Sequence, residues 1–387
     1  IFVFLVPYSA AVYKGLGSLF GAVFPGVPTW VWMLGIAVLT AVYLVAGGYI
    51  ATSYTDLVQG VIMIVGVILL VITVLGHENV GGISGLMENL RNFQPLPEDP
   101  NPVTGSQLTN LFGGSSFRFL CFNIMLTSFG TWGLPQMIGK FYAIKDTAAI
   151  KRGTIISTFF CVVIGCGAYL IGSTSRLILG GQLPEGGIDA VIPTLLMEVL
   201  GGGKLGLLLL AIIMVLLLSA SMSTLQSVVL TSASAVAVDL IPSIRKKEIK
   251  SDTQMILTRL FCLAFVACSF IFATQNIPII VSLMSFSWGV VSGCFIGPYI
   301  WGLFSKKITK AGAFAGILSG LITVGSATLA ISLQSGFSAA AAKSPEMGVS
   351  AMAISMIIVP LVSAFTRNTE AETNRVNTIF ECYQENV

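Results

Sequence analysis

Apolar residues in this chain gather in long continuous runs rather than alternating with polar ones. Runs near or above the roughly 18 residues that span a bilayer recur from one end to the other. They predict about ten transmembrane helices, over residues 1–23, 29–50, 54–76, 115–143, 150–177, 205–235, 255–274, 278–304, 310–333 and 348–366. A β-barrel would instead show short segments alternating with period two. Two longer polar stretches, 77–112 and 178–204, separate spans. The second contains Ile188 to Leu200, which predicts a short helix packed on the membrane face. Residues 367–387 mix both charges and predict a solvated tail. No low-complexity tract or short-period repeat interrupts the pattern.

Composition agrees with an all-α polytopic membrane protein. Of 387 residues, 55% are hydrophobic and 10% charged, and the mean hydropathy is +0.90. A soluble domain carries about 25% charged residues. The net charge of +3 matters less than where the cations sit. Lys140, Lys145, Lys151 and Arg152 join spans four and five. Arg245, Lys246, Lys247, Lys250 and Arg259 join spans six and seven, and Lys306, Lys307 and Lys310 join spans eight and nine. The positive-inside rule makes these loops cytoplasmic. The stretch 77–112 sets Arg91 against Glu78, Glu88, Glu98 and Asp99, so it is expected outside. That alternation puts both Ile1 and the tail after Arg367 inside the cell, in a multi-pass plasma-membrane protein. The chain opens at Ile1, already within an apolar run and with no signal peptide, which reads as the later part of a longer protein. Cys121, Cys161, Cys166, Cys262, Cys268 and Cys294 lie in apolar segments and read as small buried hydrophobes. A single histidine, His77, excludes a histidine-based metal or catalytic cluster.

Candidate chemistry concentrates in span six. The Ala220 carbonyl and the Ser223 and Thr224 hydroxyls recur at i, i+3 and i+4, on one helical face. Such oxygens suit a hard monovalent cation, and they equally suit helix packing. Gly130-Thr131-Trp132-Gly133-Leu134-Pro135 interrupts span four. A break there frees backbone groups for a substrate, as in discontinuous transporter helices, or marks a packing kink. Thr127 and Thr131 lie one turn apart on that element. Asp56 opens span three, either as an N-cap or as an acid that attracts a passing cation. Tyr8 can line a pocket or pack. Lys14 can snorkel, join a structural ion pair, or face the bundle and stand in for a cation. Span eight carries Ser285, Ser287, Gly289, Gly293 and Gly297, a composition for close helix packing. No phosphate loop, nucleophile elbow or HExxH pattern occurs, so an enzyme has no catalytic group here.

Ala220-Ser221-Met222-Ser223-Thr224-Leu225, followed by a Ser-rich turn and Val238-Asp239-Leu240, resembles the eighth core helix of the sodium:solute symporter family. The stretch from Gly47-Gly48 through Thr55-Asp56 to Gln59 resembles that family's signature between core helices four and five. Phe129 to Gln136, followed by Lys140-Phe141, resembles its broken sixth core helix. The three matches come in family order. The resemblance implies a leucine-transporter-like five-plus-five inverted-repeat fold lacking its first helices. It implies core helices three to five in 1–76, an extracellular loop in 77–112 and core helices six to ten in 113–304. Two extra helices in 305–366 and a cytoplasmic tail in 367–387 complete that division.

The resemblance further implies sodium ligands at Ala220, Ser223 and Thr224, a sodium pathway past Asp56, and a substrate site at Tyr8, Thr127, Thr131, Trp132 and Pro135. Proline-transporting members carry an aromatic pair where this chain has Thr127 and Thr131, so a more polar or wider pocket is expected. Lys14 departs from that branch too. The implied function is sodium-coupled import of a small organic solute by alternating access, with sodium as the co-transported ion. The other partners are the solute and the lipid bilayer, without nucleic acid. Core helices one and two, which complete the sodium site in the family, are not in the chain, so it is not expected to transport alone. A proton-coupled transporter of the same fold, with Lys14 as cation surrogate, and a transporter-like solute sensor remain as alternatives.

Overall fold

The computed structural model describes residues 1–96, 103–110, 112, 117–141, 144–245, 249–275 and 280–384, with the side chains of 46–52 and 382–384 outside that description. The signature side chains Gly47 to Thr52, the loop acids Glu98 and Asp99 and the loop cations Lys246 and Lys247 therefore lie outside the described residues.

The described elements are all helical. They begin with α1 (Phe2–Val23), α2 (Thr29–Leu75), α3 (Gly82–Arg91), α4 (Gly105–Leu108) and α5 (Phe117–Gly130). A 3-10 turn, Thr131–Gly133, leads into α6 (Pro135–Phe141), followed by α7 (Thr147–Ile178) and α8 (Val191–Leu200). Next, α9 (Gly203–Ser234) passes through a π-helical segment, Ala235–Leu240, into α10 (Ile241–Arg245). The last elements are α11 (Ser251–Ala273), α12 (Ile280–Phe304), α13 (Lys310–Ala342), α14 (Ser344–Phe365) and α15 (Glu370–Gln384).

Among the described residues, eight helical segments are long and apolar enough to cross a bilayer, and Thr29–Val45 is a shorter apolar helix. With the broken α5–α6 element they account for the expected spans. Helical hydrogen bonding runs through α2, yet α2 is not straight. In a straight helix Tyr43 and Thr55 would stand about 18 Å apart. Their hydroxyls instead hydrogen-bond to each other. The Thr40 hydroxyl lies 3.5 Å from the Met222 sulfur, while Asp56 meets the adjacent Ser223. The chain therefore doubles back between Tyr43 and Thr55, and the arms Thr29–Val45 and Ser53–Leu75 act as separate spans.

The core lies where α1, α2, α9 and α11 meet, around Leu5, Tyr13, Leu225 and Phe265, all essentially inaccessible. Large apolar side chains of α7, such as Ile155, Ile156 and Phe159, stay exposed and suit lipid. Where helices leave the apolar layer, side chains cap them. The Asp146 carboxylate accepts from the Ala149 amide at 2.7 Å, and the Thr309 hydroxyl from Gly312 at 3.1 Å. The tail forms the largely exposed helix α15, started by a reciprocal Thr369–Glu372 pair. The Thr369 amide holds the Glu372 carboxyl below its ordinary range.

α12, α13 and α14 form the tightest association. Small residues allow it, as the Gly289-Gly293-Gly297 pattern predicts. A Cβ on Gly348 would stand 2.6 Å from the Gly289 Cα and 3.0 Å from Leu126 Cδ1. Gly336, at φ 84° and ψ 162°, kinks α13 in a conformation only glycine adopts readily. Gly348→Ala is expected to destabilise the protein by about 1–3 kcal/mol through overpacking. Gly325→Ala, with open space around its Cβ, is expected to stabilise by roughly 0.5–1 kcal/mol. Thermal unfolding in detergent checks both, and equal effects would show that the seam is loosely packed.

Candidate functional site

The oxygen-rich stretch of α9 lies between two cavities. One, of about 370 Å³, is lined by Tyr8, Asp189, Ala220, Ser221 and Thr224 among apolar residues of α1, α8 and α12. The other, of about 650 Å³, lies toward the C-terminal end of α9 and is lined by Ser53, Asp56, Gln136, Lys140, Gln226 and Ser227 with their neighbours. A third, of about 460 Å³, shares Gly139, Thr231 and Ser234 with the second and adds Pro135 and Asp239. Asp239 sits on the π-helical segment, a local widening that recurs at functional positions.

The three predicted cation ligands are engaged as follows. The Thr224 hydroxyl donates to the Ala220 carbonyl at 3.1 Å. The Ser223 hydroxyl donates to Asp56 Oδ1 at 2.7 Å, and Lys140 Nζ donates to Asp56 Oδ2 at 3.1 Å. Asp56 thus bridges α9 and α6. Lys140, read from sequence as a loop cation, also serves as the ion-pair partner of Asp56. Hydroxyl oxygens that donate keep lone pairs for a cation. Tyr8 is buried, with its ring 5.8 Å from that of Trp288 and its side chain within polar reach of Thr224. Lys14 is partly buried on α1.

The break in the fourth span falls at the predicted Gly-Pro stretch. Leu134 is extended there, at φ −88° and ψ 116°. The Gly130 carbonyl at the break accepts a hydrogen bond from Ser292 of α12 at 2.8 Å. Tyr8, Ala220 and Thr224 share one cavity, and Asp56 meets Ser223, but the remaining predicted substrate residues are not gathered with Tyr8. Thr127 and Thr131 bond back to the Asn123 and Ser128 carbonyls, and Trp132 is exposed against Phe129. Pro135 lines the third cavity.

Sequence reasoning missed Ser292, Gln226 and the partnership of Lys140 with Asp56, and passed over Gln136. One signal was legible: an amide within an apolar membrane helix is itself a functional flag.

A bundle of broken and doubled-back membrane helices around a polar midsection defines a transporter-type fold. A solved Na+-coupled sialic acid symporter in a substrate-bound outward-open state superposes with a TM-score of 0.70, at 17% identity, over 95% of this chain and 74% of that one. The model of the sodium:solute symporter family matches residues 1–320, and the chain belongs to that family. It is 28% identical over 293 residues to the sodium/pantothenate symporter of Haemophilus influenzae, covering 75% of this chain and 56% of that protein. It is 28% identical over 327 residues to the high-affinity proline transporter PutP of Bacillus subtilis, covering 83% and 65%. Human sodium/myo-inositol cotransporter 2 is 26% identical over 327 residues, covering 75% and 46%. The chain thus spans roughly half to two thirds of the length of these curated relatives.

Ser292→Ala removes the hydrogen bond that satisfies the Gly130 carbonyl. It is expected to cost about 1 kcal/mol of stability. Thermal unfolding in detergent measures it, and an unchanged midpoint would show that the break needs no support from α12.

Proposed function

We infer that the chain forms the membrane part of a sodium-coupled importer of a small organic solute. The observation that carries this is the family match over residues 1–320, which contains the Ala220, Ser223 and Thr224 oxygens beside the Asp56 carboxylate. Sodium is held by Ala220, Ser223 and Thr224, with Asp56 on its way to the cytoplasm. The cation drives import because it binds one arrangement of the bundle more tightly than the other, and only that difference shifts the equilibrium. Tyr8 of α1, which shares a cavity with Ala220 and Thr224 of α9, is the solute contact in this reading.

In this reading 1–76 completes a first inverted repeat, 77–112 is extracellular, 113–304 is the second repeat, 305–366 adds two helices and 367–387 is cytoplasmic. Solutes of the relatives span a zwitterion, an anion and a neutral polyol: proline, pantothenate and myo-inositol. These three form the first panel for uptake under a sodium gradient. The Asp56–Lys140 pair favours one variation, in which a tethered ammonium competes with sodium at the carboxylate.

Thermal stability of the intact protein in sodium and in choline tests the reading. Sodium is expected to raise the unfolding midpoint of the wild type, and Thr224→Ala to abolish the rise. No sodium effect in the wild type would reject a sodium symporter. Lys140→Met frees Asp56 of its ammonium and is expected to lower the half-effective sodium concentration by about twofold to fivefold, the scale of a partly exposed ion pair. Lys140→Arg keeps the charge and is expected to leave that concentration unchanged.

A further inference from the structure

The tail helix α15 carries an apolar stripe. Val376, Ile379 and Phe380 recur at i, i+3 and i+4 and share one face. Glu370 and Glu381 fall on the opposite face, and Glu372 is used in the cap. No other described helix packs closely on α15. Ile379 stays 55% exposed, and Val376 and Phe380 are half-buried. A helix with one apolar and one charged face suits a membrane–water boundary.

The attachments of α15 bring it to that boundary. Residues 366–369 alone separate it from the end of α14 at Phe365. The Thr309 and Thr366 hydroxyls hydrogen-bond at 2.6 Å. Asn368 accepts from the Lys310 amide at 3.2 Å and donates to the Ile308 carbonyl at 3.0 Å. These bonds tie the start of α15 to the loop between α12 and α13. Around that loop Phe304, Phe314 and Phe365 are each more than half exposed, as side chains facing lipid are. Three spans therefore end together here, and bilayer thickness sets that level.

Cations crowd the same place. Over residues 305–310 and 366–384, Lys306, Lys307, Lys310, Arg367 and Arg375 outnumber Glu370, Glu372 and Glu381. Lys306, Lys307 and Arg367 are exposed, and among the described residues no carboxylate lies within ion-pairing distance of them. Lys306 Nζ stands 5.5 Å from the centre of the Phe380 ring, so the cations adjoin the apolar stripe. An anionic lipid satisfies both: acyl chains cover the stripe, and phosphates meet the cations. A soluble acidic partner would offer the stripe no hydrocarbon. A leaflet of neutral lipid would leave the cations without counter-charge.

We propose that α15 and the α12–α13 loop form a docking surface for anionic lipid, with Val376, Ile379 and Phe380 at the acyl boundary and Lys306, Lys307 and Arg367 on lipid phosphates. The proposal rests on the topology of the symporter reading, which puts the tail inside the cell, and not on its cation or solute.

Amide hydrogen exchange over residues 370–384 tests it, with the intact protein in nanodiscs. One set holds phosphatidylcholine alone, and the other phosphatidylcholine and phosphatidylglycerol in equal parts. Exchange is expected to be slower in the anionic discs by about tenfold or more. The combined variant Lys306→Gln, Lys307→Gln and Arg367→Gln is expected to cut that difference to about twofold or less. These are surface positions, so the fold is expected to survive. Ile379→Ser is expected to speed exchange in both discs, because acyl chains are common to both. Inorganic phosphate added to the phosphatidylcholine discs is expected to slow nothing.

Equal exchange in the two discs for the wild type overturns the proposal. So does full protection in the cation variant, or no effect of Ile379→Ser. Protection by inorganic phosphate equal to that by phosphatidylglycerol would make this a free-anion site instead. Stabilisation by sodium is read on the same samples. Its absence beside an intact lipid effect removes the sodium reading alone, and its presence without a lipid effect removes the docking surface alone.

Discussion

In hydrocarbon, a polar group without a partner inside the protein has no solvent to turn to. Most hydroxyls on the membrane helices meet that constraint locally. Thr40 bonds the Ile36 carbonyl, Thr158 that of Thr154, and Ser363 that of Val359, each one turn back. Backbone groups meet it by helix formation, and at the break after Gly130 a side chain from another helix adds a hydrogen bond. A few buried polar atoms, the Ser232 and Ser269 hydroxyls and the Gln136 Oε1 among them, find no partner among the described residues. The supported break in α5–α6 and the Asp56 network are thus two outcomes of one rule.

α9 connects these features mechanically. Its Ala220–Thr224 stretch borders the cavity shared with Tyr8, while Gln226 to Ser234 border the cavity shared with Asp56 and Lys140. In the proposed reading, a cation held by Ser223 or Thr224 acts on an element that walls both cavities. Asp56 links α9 to α2 and, through Lys140, to α6 beyond the break. By contrast, α12, α13 and α14 interlock through glycine and small residues, in a close packing that resists internal rearrangement. Ser292 joins that unit to the broken helix.

The relatives carry chemically different solutes, and side chains near the break differ from those expected of proline-transporting members. Thr127 and Thr131, where the resemblance expects aromatics in proline-transporting members, bond to their own helix. Shape and hydrogen bonding around Tyr8, rather than an aromatic enclosure, then set the solute class in the proposed reading.

The sequence by itself determined the spans, because bilayer thickness imposes a run length that hydropathy records. It also determined the break after Gly130, because glycine and proline act on the backbone where they stand. The i, i+3, i+4 spacing of Ala220, Ser223 and Thr224 was legible for the same reason: helical period is local. Only the tertiary structure decided who meets whom. Asp56 finds Lys140 across 84 positions and Ser223 across 167, and Ser292 finds Gly130 across 162. No local period encodes such pairings. They depend on how helices stack, and stacking is set by the summed fit of small and large side chains along whole helices rather than by any one residue.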